Sequence, residues 1–400
     1  MMSGLIAWFT QVAAVTRFNL LTLPQRVGSS VSAIFGITGV VAVMVGVLSI
    51  AQGILHTMQS SASPLNAIVL RSGANTEMMS GLDGESVKII AQAPGIARNE
   101  KGALASPELF VILNLPKRST GTEANVPLRG VRENAVTVRD AFRISSGRMF
   151  EWGTNEAIVG RGASLEFSGL ELGSSVPVGS EKWPVVGIFD AAGGLAESEI
   201  WVDAAVLQPA FRRGNSYQAV YAKLESRDAF TAFKDALTAD PKLNVKPLRE
   251  AEYYDSQATT LYNLITGLGT LIAVIMGLGA TFGALNTMYT SVAARGREIA
   301  TLRALGFRTV PVILSVLFES LLLALIGGII GAGLAWWAFD GFRAATLNWA
   351  SFSQIAFAFE VTPALLVQGI TFALLIGLVG GLLPAIRAAR QPVATALREL

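Results

Sequence analysis

The chain has 400 residues, of which 52% are hydrophobic and 15% charged, with 40 glycines, no cysteine and a formal net charge of +2. Soluble domains usually carry about 25% charge, so the deficit excludes an ordinary soluble globular protein and points to an integral membrane protein. The missing cysteine excludes a disulfide framework and a thiolate metal site, and the small net charge gives no sign of a nucleic-acid partner.

The first 28 residues place Leu5, Trp8, Phe9, Val12 and Val15 at helical spacing. This pattern predicts an amphipathic helix lying at the cytoplasmic membrane surface. A frayed extension of the first span is the alternative, opposed by Pro24 and Gly28. No Asp, Glu, Lys or Arg occurs between Arg26 and Arg71, between Asp255 and Arg295, between Glu319 and Asp340, or between Glu360 and Arg387. A spanning helix needs roughly 20 apolar residues, and each gap can hold one. Four spans are expected, at about 29–55, 260–290, 309–338 and 363–386. The first span is expected to be an uncleaved anchor, since no convincing cleavage site precedes it.

Between the first two spans, residues 56–256 form a soluble domain. Short β-type runs alternate with turn signals there, among them Ala157-Ile-Val-Gly160, Ile200-Trp-Val202 and Ala219-Val-Tyr-Ala-Lys223. Helices are expected near 84–93 and 226–239, so the domain is α+β, with room for two subdomains. The uncharged stretch 256–294 would measure about 58 Å as a single helix, against a hydrocarbon core of about 30 Å. Its surplus should protrude as a stalk; a loop at 256–260 followed by a tilted helix is the alternative.

The connector between the second and third spans reads Ser291-Val-Ala-Ala-Arg-Gly-Arg-Glu-Ile-Ala-Thr-Leu-Arg-Ala-Leu-Gly-Phe-Arg308. Arg295, Arg297, Arg303 and Arg308, with Arg387, Arg390 and Arg398 in the tail, assign this side to the cytoplasm. Both termini are then cytoplasmic and the large domain is exported, which in a Gram-negative cell means the periplasm. The connector is expected to be a short helix with Ile299, Leu302 and Leu305 on one face and Arg297, Glu298 and Arg303 elsewhere. Gly306 serves as its left-handed stop. On charge alone it reads as an ordinary positive-inside loop; a docking helix for a cytoplasmic subunit is the alternative.

Glu319 is the one ionisable group expected inside a span. Intramembrane carboxyls are costly and tend to be functional. Its neighbours Ser320, Gly327, Gly328 and Gly331 suit close helix contact. A packing role is favoured over a polar pathway. The single histidine, His56, is read as an interfacial side chain, and no metal-ligand constellation is evident. Nor is there a persuasive nucleophile–base pair, so an enzyme is not expected.

Asn286, Ser291, Arg295, Arg297-Glu298-Ile299, Leu302-Arg303-Ala304-Leu305-Gly306, Glu319-Ser320 and Gly327-Gly328-x2-Gly331 together resemble the FtsX-like permease domain of ABC transporters. Gly380-Gly381-x-Leu383-Pro384-Ala385 and the following residues are similar to the end of that domain, although Pro392 stands one position early. The exported region resembles the periplasmic core domain of MacB-like permeases through Pro94-Gly95-Ile96, Gly147-Arg148-x-Phe150, Glu156-Ala-Ile-Val-Gly160, Gly173, Val185-Val-Gly-Ile188 and Ile200-Trp-Val202.

The resemblance implies four transmembrane helices with the large α+β domain after the first, and a 257–400 permease region. It also implies a permease dimer, homomeric or with a paralogue, and an ABC ATPase docking on the connector. A periplasmic membrane-fusion adaptor is a further partner that the family allows. No G-x-x-x-x-G-K-[ST] motif occurs in the 400 residues, so ATP and Mg are expected in a partner chain and no cofactor in this one. The expected function is ATP-driven export or extraction of an antimicrobial, peptide, lipid or lipoprotein across or from the inner membrane. A signalling permease that regulates a periplasmic or cell-wall enzyme without cargo is the alternative.

Overall fold

The computed structural model describes residues 11–12, 16–17, 27–100, 102–348 and 353–390. Most of the interfacial helix expected over 1–28, and the tail beyond Arg390, lie outside the described residues. The chain divides into two compact units. One, the helical unit, contains residues up to Gln52, Asn263–Phe342 and those from Phe359; the other contains Gly53–Tyr262 and Arg343–Ala358.

Four long apolar helices form the frame of the helical unit: Val27–Ser60, Glu250–Ala294, Thr309–Phe339 and Pro363–Arg390. Each is long and apolar enough to cross a membrane. The second is continuous over 45 residues, about 67 Å at 1.5 Å per residue; residues 250–262 of it belong to the other unit.

Within the helical unit the helices approach through small residues. A Cβ on Gly331 would stand 2.6 Å from the Thr38 carbonyl oxygen of the first helix, and one on Gly377 would stand 2.4 Å from the Ala324 side chain. Lipid offers no hydrophobic drive between helices, so contact of this kind, with interhelical hydrogen bonds, supplies the cohesion. Thr38 Oγ1 donates to the Gly327 carbonyl at 3.1 Å, and Ser320 Oγ donates to the Gly377 carbonyl at 2.6 Å. Gly328 faces Ala373 of the fourth helix. Ser320, Gly327, Gly328 and Gly331 therefore all sit at helix contacts.

The second unit is built on a ten-stranded mixed sheet. Its strands are β1 (Asn66–Arg71), β2 (Ala105–Pro116), β3 (Glu123–Val131), β4 (Arg143–Gly147), β5 (Ala157–Gly160), β6 (Ser175–Val178), β7 (Glu181–Asp190), β8 (Ile200–Asp203), β9 (Ala219–Lys223) and β10 (Val245–Arg249). The order is β10-β1-β9-β2-β3-β8-β5-β7-β4, with β6 paired to β7. The β3–β8 and β5–β7 pairs are parallel and the others antiparallel.

Side chains alternate between the two faces of a strand, and two apolar cores result. Val69, Val220 and Ala222 pack with Ile90 of the helix Gly84–Ala91 and Phe233 of the helix Ala229–Ala239. Leu109, Val111, Leu128, Ile200 and Val202 pack with Phe167, Trp183 and Leu207. Glu108, Phe110, Arg129, Trp201 and Tyr221 alternate with these core residues along β2, β3, β8 and β9, and are themselves buried.

The connection between the third and fourth long helices is a hairpin of β11 (Arg343–Asn348) and β12 (Ser353–Ala358). It folds with the second unit. The Ala356 N–H donates to Ser198 Oγ at 2.9 Å, and Ser353, Ile355 and Phe357 are buried.

Candidate functional site

The connector is a helix, Gly296–Ala304, set off from the second long helix by a break at Arg295, whose φ and ψ are −104° and 7°. Its end is set by Gly306. The Gly306 N–H donates to the Arg303 carbonyl and the Phe307 N–H to the Leu302 carbonyl, both at 3.1 Å. This double return, with Gly306 at φ 97°, is the Schellman stop that glycine permits without steric penalty.

Ile299 anchors the connector in a cluster with Met288, Val292, Val312, Val316, Ala385, Ala388 and Ala389, drawn from three long helices. Arg387 lies over the Tyr289 ring at 5.5 Å, closing the same end of the bundle. Arg297, Glu298, Thr301 and Arg308 are exposed, and Leu302 and Arg303 half-buried. The single apolar ridge expected from spacing is therefore split. Ile299 points into the bundle, whereas Leu305, past the last helical residue, is 73% exposed.

Arg295, one of the connector's four arginines, does not face solvent. The helix break turns its side chain inward, where it is 3% exposed. Arg295 Nη1 donates to Glu319 Oε2 at 2.9 Å, and the Ser291 hydroxyl lies 3.5 Å from the other carboxylate oxygen. The buried carboxyl of the third long helix thus faces the first residue of the connector. A charge-assisted bond in a low-dielectric setting is strong and directional, so it fixes the angle at which the connector leaves the bundle.

A second buried ionic group, in the other unit, escaped the sequence reading. Arg129 on β3 donates to Glu77, Glu108 and Glu199 at 2.7–3.1 Å. Arg139 forks onto Glu108, at 2.5 and 2.7 Å. Burial works to raise the Glu108 carboxyl, but the guanidiniums of Arg139 and Arg129 outweigh it and hold it below the usual range. Aromatic rings close the site: Arg129 lies over Phe110 and Arg139 over Trp201 and Tyr221. The start of the second long helix covers it, with Tyr253 OH accepting from the Glu77 N–H and Tyr254 OH 3.3 Å from Tyr221 OH. A signal was present in the sequence. Glu108 precedes Leu-Phe-Val-Ile-Leu, and Arg129 interrupts Val-Pro-Leu-x-Gly-Val, so each is a charge in an otherwise apolar strand.

Among the described residues, no three His, Cys, Asp or Glu side chains are grouped to hold a metal. The carboxylates of the second group are tied to guanidiniums, an arrangement suited to holding elements together rather than to bond making.

Comparison with known proteins agrees with this architecture. The MacB-like periplasmic core domain family model matches residues 30–240, and the FtsX-like permease C-terminal model matches residues 270–393. The uncharacterized ABC transporter permease YknZ of Bacillus subtilis is 25% identical over 294 residues, covering 69% of this chain and 70% of the relative. The macrolide export ATP-binding/permease protein MacB of Azoarcus is 26% identical over 416 residues, covering 97% of this chain. The chain spans 60% of that relative's length. The extracellular domain of YknZ resembles 46% of this chain at 16% identity and a TM-score of 0.36. The periplasmic region of MacB from Actinobacillus actinomycetemcomitans resembles 52% of it at 12% identity and a TM-score of 0.37. With four apolar helices and a periplasmic-type domain between the first two, the chain belongs to the ABC transporter permease family that joins a MacB-like periplasmic core domain to an FtsX-like permease region.

Proposed function

We propose that this permease converts ATP hydrolysis by a separate ABC ATPase into movement of its periplasmic domain, and so exports or extracts a substrate. The substrate class is an antimicrobial, peptide, lipid or lipoprotein taken from the periplasm or outer leaflet. The chain works in the bacterial inner membrane with both termini cytoplasmic. It functions as a dimer with a second permease copy or a paralogue, and a membrane-fusion adaptor can join on the periplasmic side. ATP and Mg are bound by the partner, and this chain contributes no catalytic group.

The observation that carries this reading is the Arg295–Glu319 bond. The connector offers Arg297, Glu298 and Leu305 to solvent while its first residue is fixed to the third helix. A push on the exposed side therefore enters the bundle through a defined joint. The second long helix runs unbroken from Glu250 to Ala294, just before the connector. Coupling by such an element needs no wide pore.

Reversing charge on the rim, with Arg297→Glu and Arg303→Glu together, should abolish co-purification of the ATPase or stop transport while the permease still reaches the membrane. If the double variant keeps both the ATPase and transport, the connector is not the docking element.

A further inference from the structure

Glu250 is the first residue of the second long helix and is 1% exposed. Its carboxylate accepts from the Ser63 N–H at 2.9 Å. Ser63 lies just past the end of the first long helix, so this bond closes the point where one long helix ends and the other begins. One turn further on, Gln59 Nε2 donates to Asp255 Oδ1 at 3.2 Å.

The surroundings are overcharged. Glu77, Glu108, Glu199 and Glu250 are all buried with two guanidiniums, Arg129 and Arg139. Fully ionised, the group would hold four negative charges against two positive ones. An uncompensated buried charge is expensive, and the ordinary relief is a bound proton. Glu77, Glu108 and Glu199 each bond a guanidinium directly, whereas Glu250 bonds the Ser63 N–H and the Asn66 side chain.

The groups facing Glu250 are Ser63 and Asn66 from the segment leading into β1, Glu108 from β2, Arg139 after the turn Ala135–Val138, and Tyr254 from its own helix. The Asn66 amide nitrogen is engaged by the Val138 carbonyl at 3.0 Å. Its buried oxygen has no donor among the described residues. Burial rather than a hydrogen bond favours the neutral form of Glu250: ionised, it would sit desolvated and face the Glu108 carboxylate.

We propose that Glu250 is a proton-operated latch between the outer ends of the first two long helices, closed when its carboxyl is neutral and loosened when the proton leaves. Burial, set against the weaker opposing pull of Ser63, Arg139 and Asn66, pushes this carboxyl up to about 7. The sign follows from that rise. The folded form holds the proton over a pH range where the unfolded chain has lost it, so the latch is fully closed at acid pH. Its contribution is lost as pH climbs through about 7. Periplasmic acidity would then set how tightly the two helices are held together, a regulation that goes beyond the transport reading and stands without it.

The natural sequence lacks cysteine, so Gln59→Cys with Asp255→Cys gives a unique thiol pair on the full chain in lipid nanodiscs. Cross-linking of that pair by a short bifunctional maleimide should change between acid and alkaline buffer with a midpoint near pH 7, and Glu250→Gln should remove the midpoint. Infrared titration of the wild-type chain supplies a measurement needing no variant: a protonated-carboxyl band should disappear near the same pH. The proposal is overturned if no such band titrates there, or if the Glu250→Gln chain keeps the wild-type cross-linking midpoint. Transport or ATPase activity enters neither readout, so failure of the transport reading would be seen separately.

Discussion

The two units each bury an ionic site, and they do so by different rules. In the helical unit one arginine meets one glutamate, and the charges cancel across a single 2.9 Å bond. In the sheet unit two arginines bond three carboxyls, and a fourth, Glu250, is buried beside them with no guanidinium bond of its own. A matched pair has one arrangement and acts as a joint. An overcharged group has a second arrangement available through the proton, and so can answer to its surroundings. Buried ion pairs are weak evidence for stability as such, because desolvation offsets much of the attraction. Their worth here lies in fixing where chain segments meet.

Removing the shared cation should break the contrast most severely. Arg129→Met leaves Glu77, Glu108 and Glu199 without the guanidinium all three bond. We expect a loss of about 3–5 kcal/mol, read as thermal unfolding of the purified full chain at neutral pH. Stability equal to wild type at neutral pH would mean that Arg129 does not organise the sheet face.

The matched pair should behave as a cycle. Arg295→Met or Glu319→Leu alone is expected to cost about 3 kcal/mol, whereas the double variant should regain most of it, since apolar replacements of both partners are often near neutral. Coupling should not return with stability: the double variant is expected to fold, bind the ATPase and fail to link hydrolysis to transport. Full transport by that variant would reduce the pair to packing.

The smallest expected effect sharpens the same boundary. Ser320→Ala removes the hydroxyl that donates to the Gly377 carbonyl, a neutral bond worth about 1 kcal/mol, and should lower the melting temperature slightly with coupling intact. A large loss of coupling in Ser320→Ala would place the joint at the third–fourth helix contact instead of at Arg295.

The long helices were legible because membrane spans announce themselves by uncharged length, and the uncharged stretches after Arg26, Asp255, Glu319 and Glu360 each mark one, the third helix beginning ten residues before Glu319. Strands such as Ala157–Gly160 and Ala219–Lys223 were legible from β-branched runs between turn signals. Arg129 was not, because its partners lie 52, 21 and 70 residues away in sequence. No local pattern records a contact of that span. Arg295 was counted among the connector's arginines, but its inward turn was not legible, because it depends on a backbone break at that residue and on a carboxyl 24 residues away. Leu305 was misjudged for the related reason that spacing continues past the point where the helix stops. The hairpin of β11 and β12 was not read from the sequence.

That hairpin has a practical consequence for anyone wishing to excise the soluble portion. A fragment cut at 56 and 256 omits a piece contributed from a hundred residues downstream, and leaves uncapped the surface that Ile355 and Phe357 normally cover. Such a fragment would be a bowl without its lid, sticky where the whole protein is dry. Stitching residues 343–358 back through a flexible linker is the economical way to make it whole.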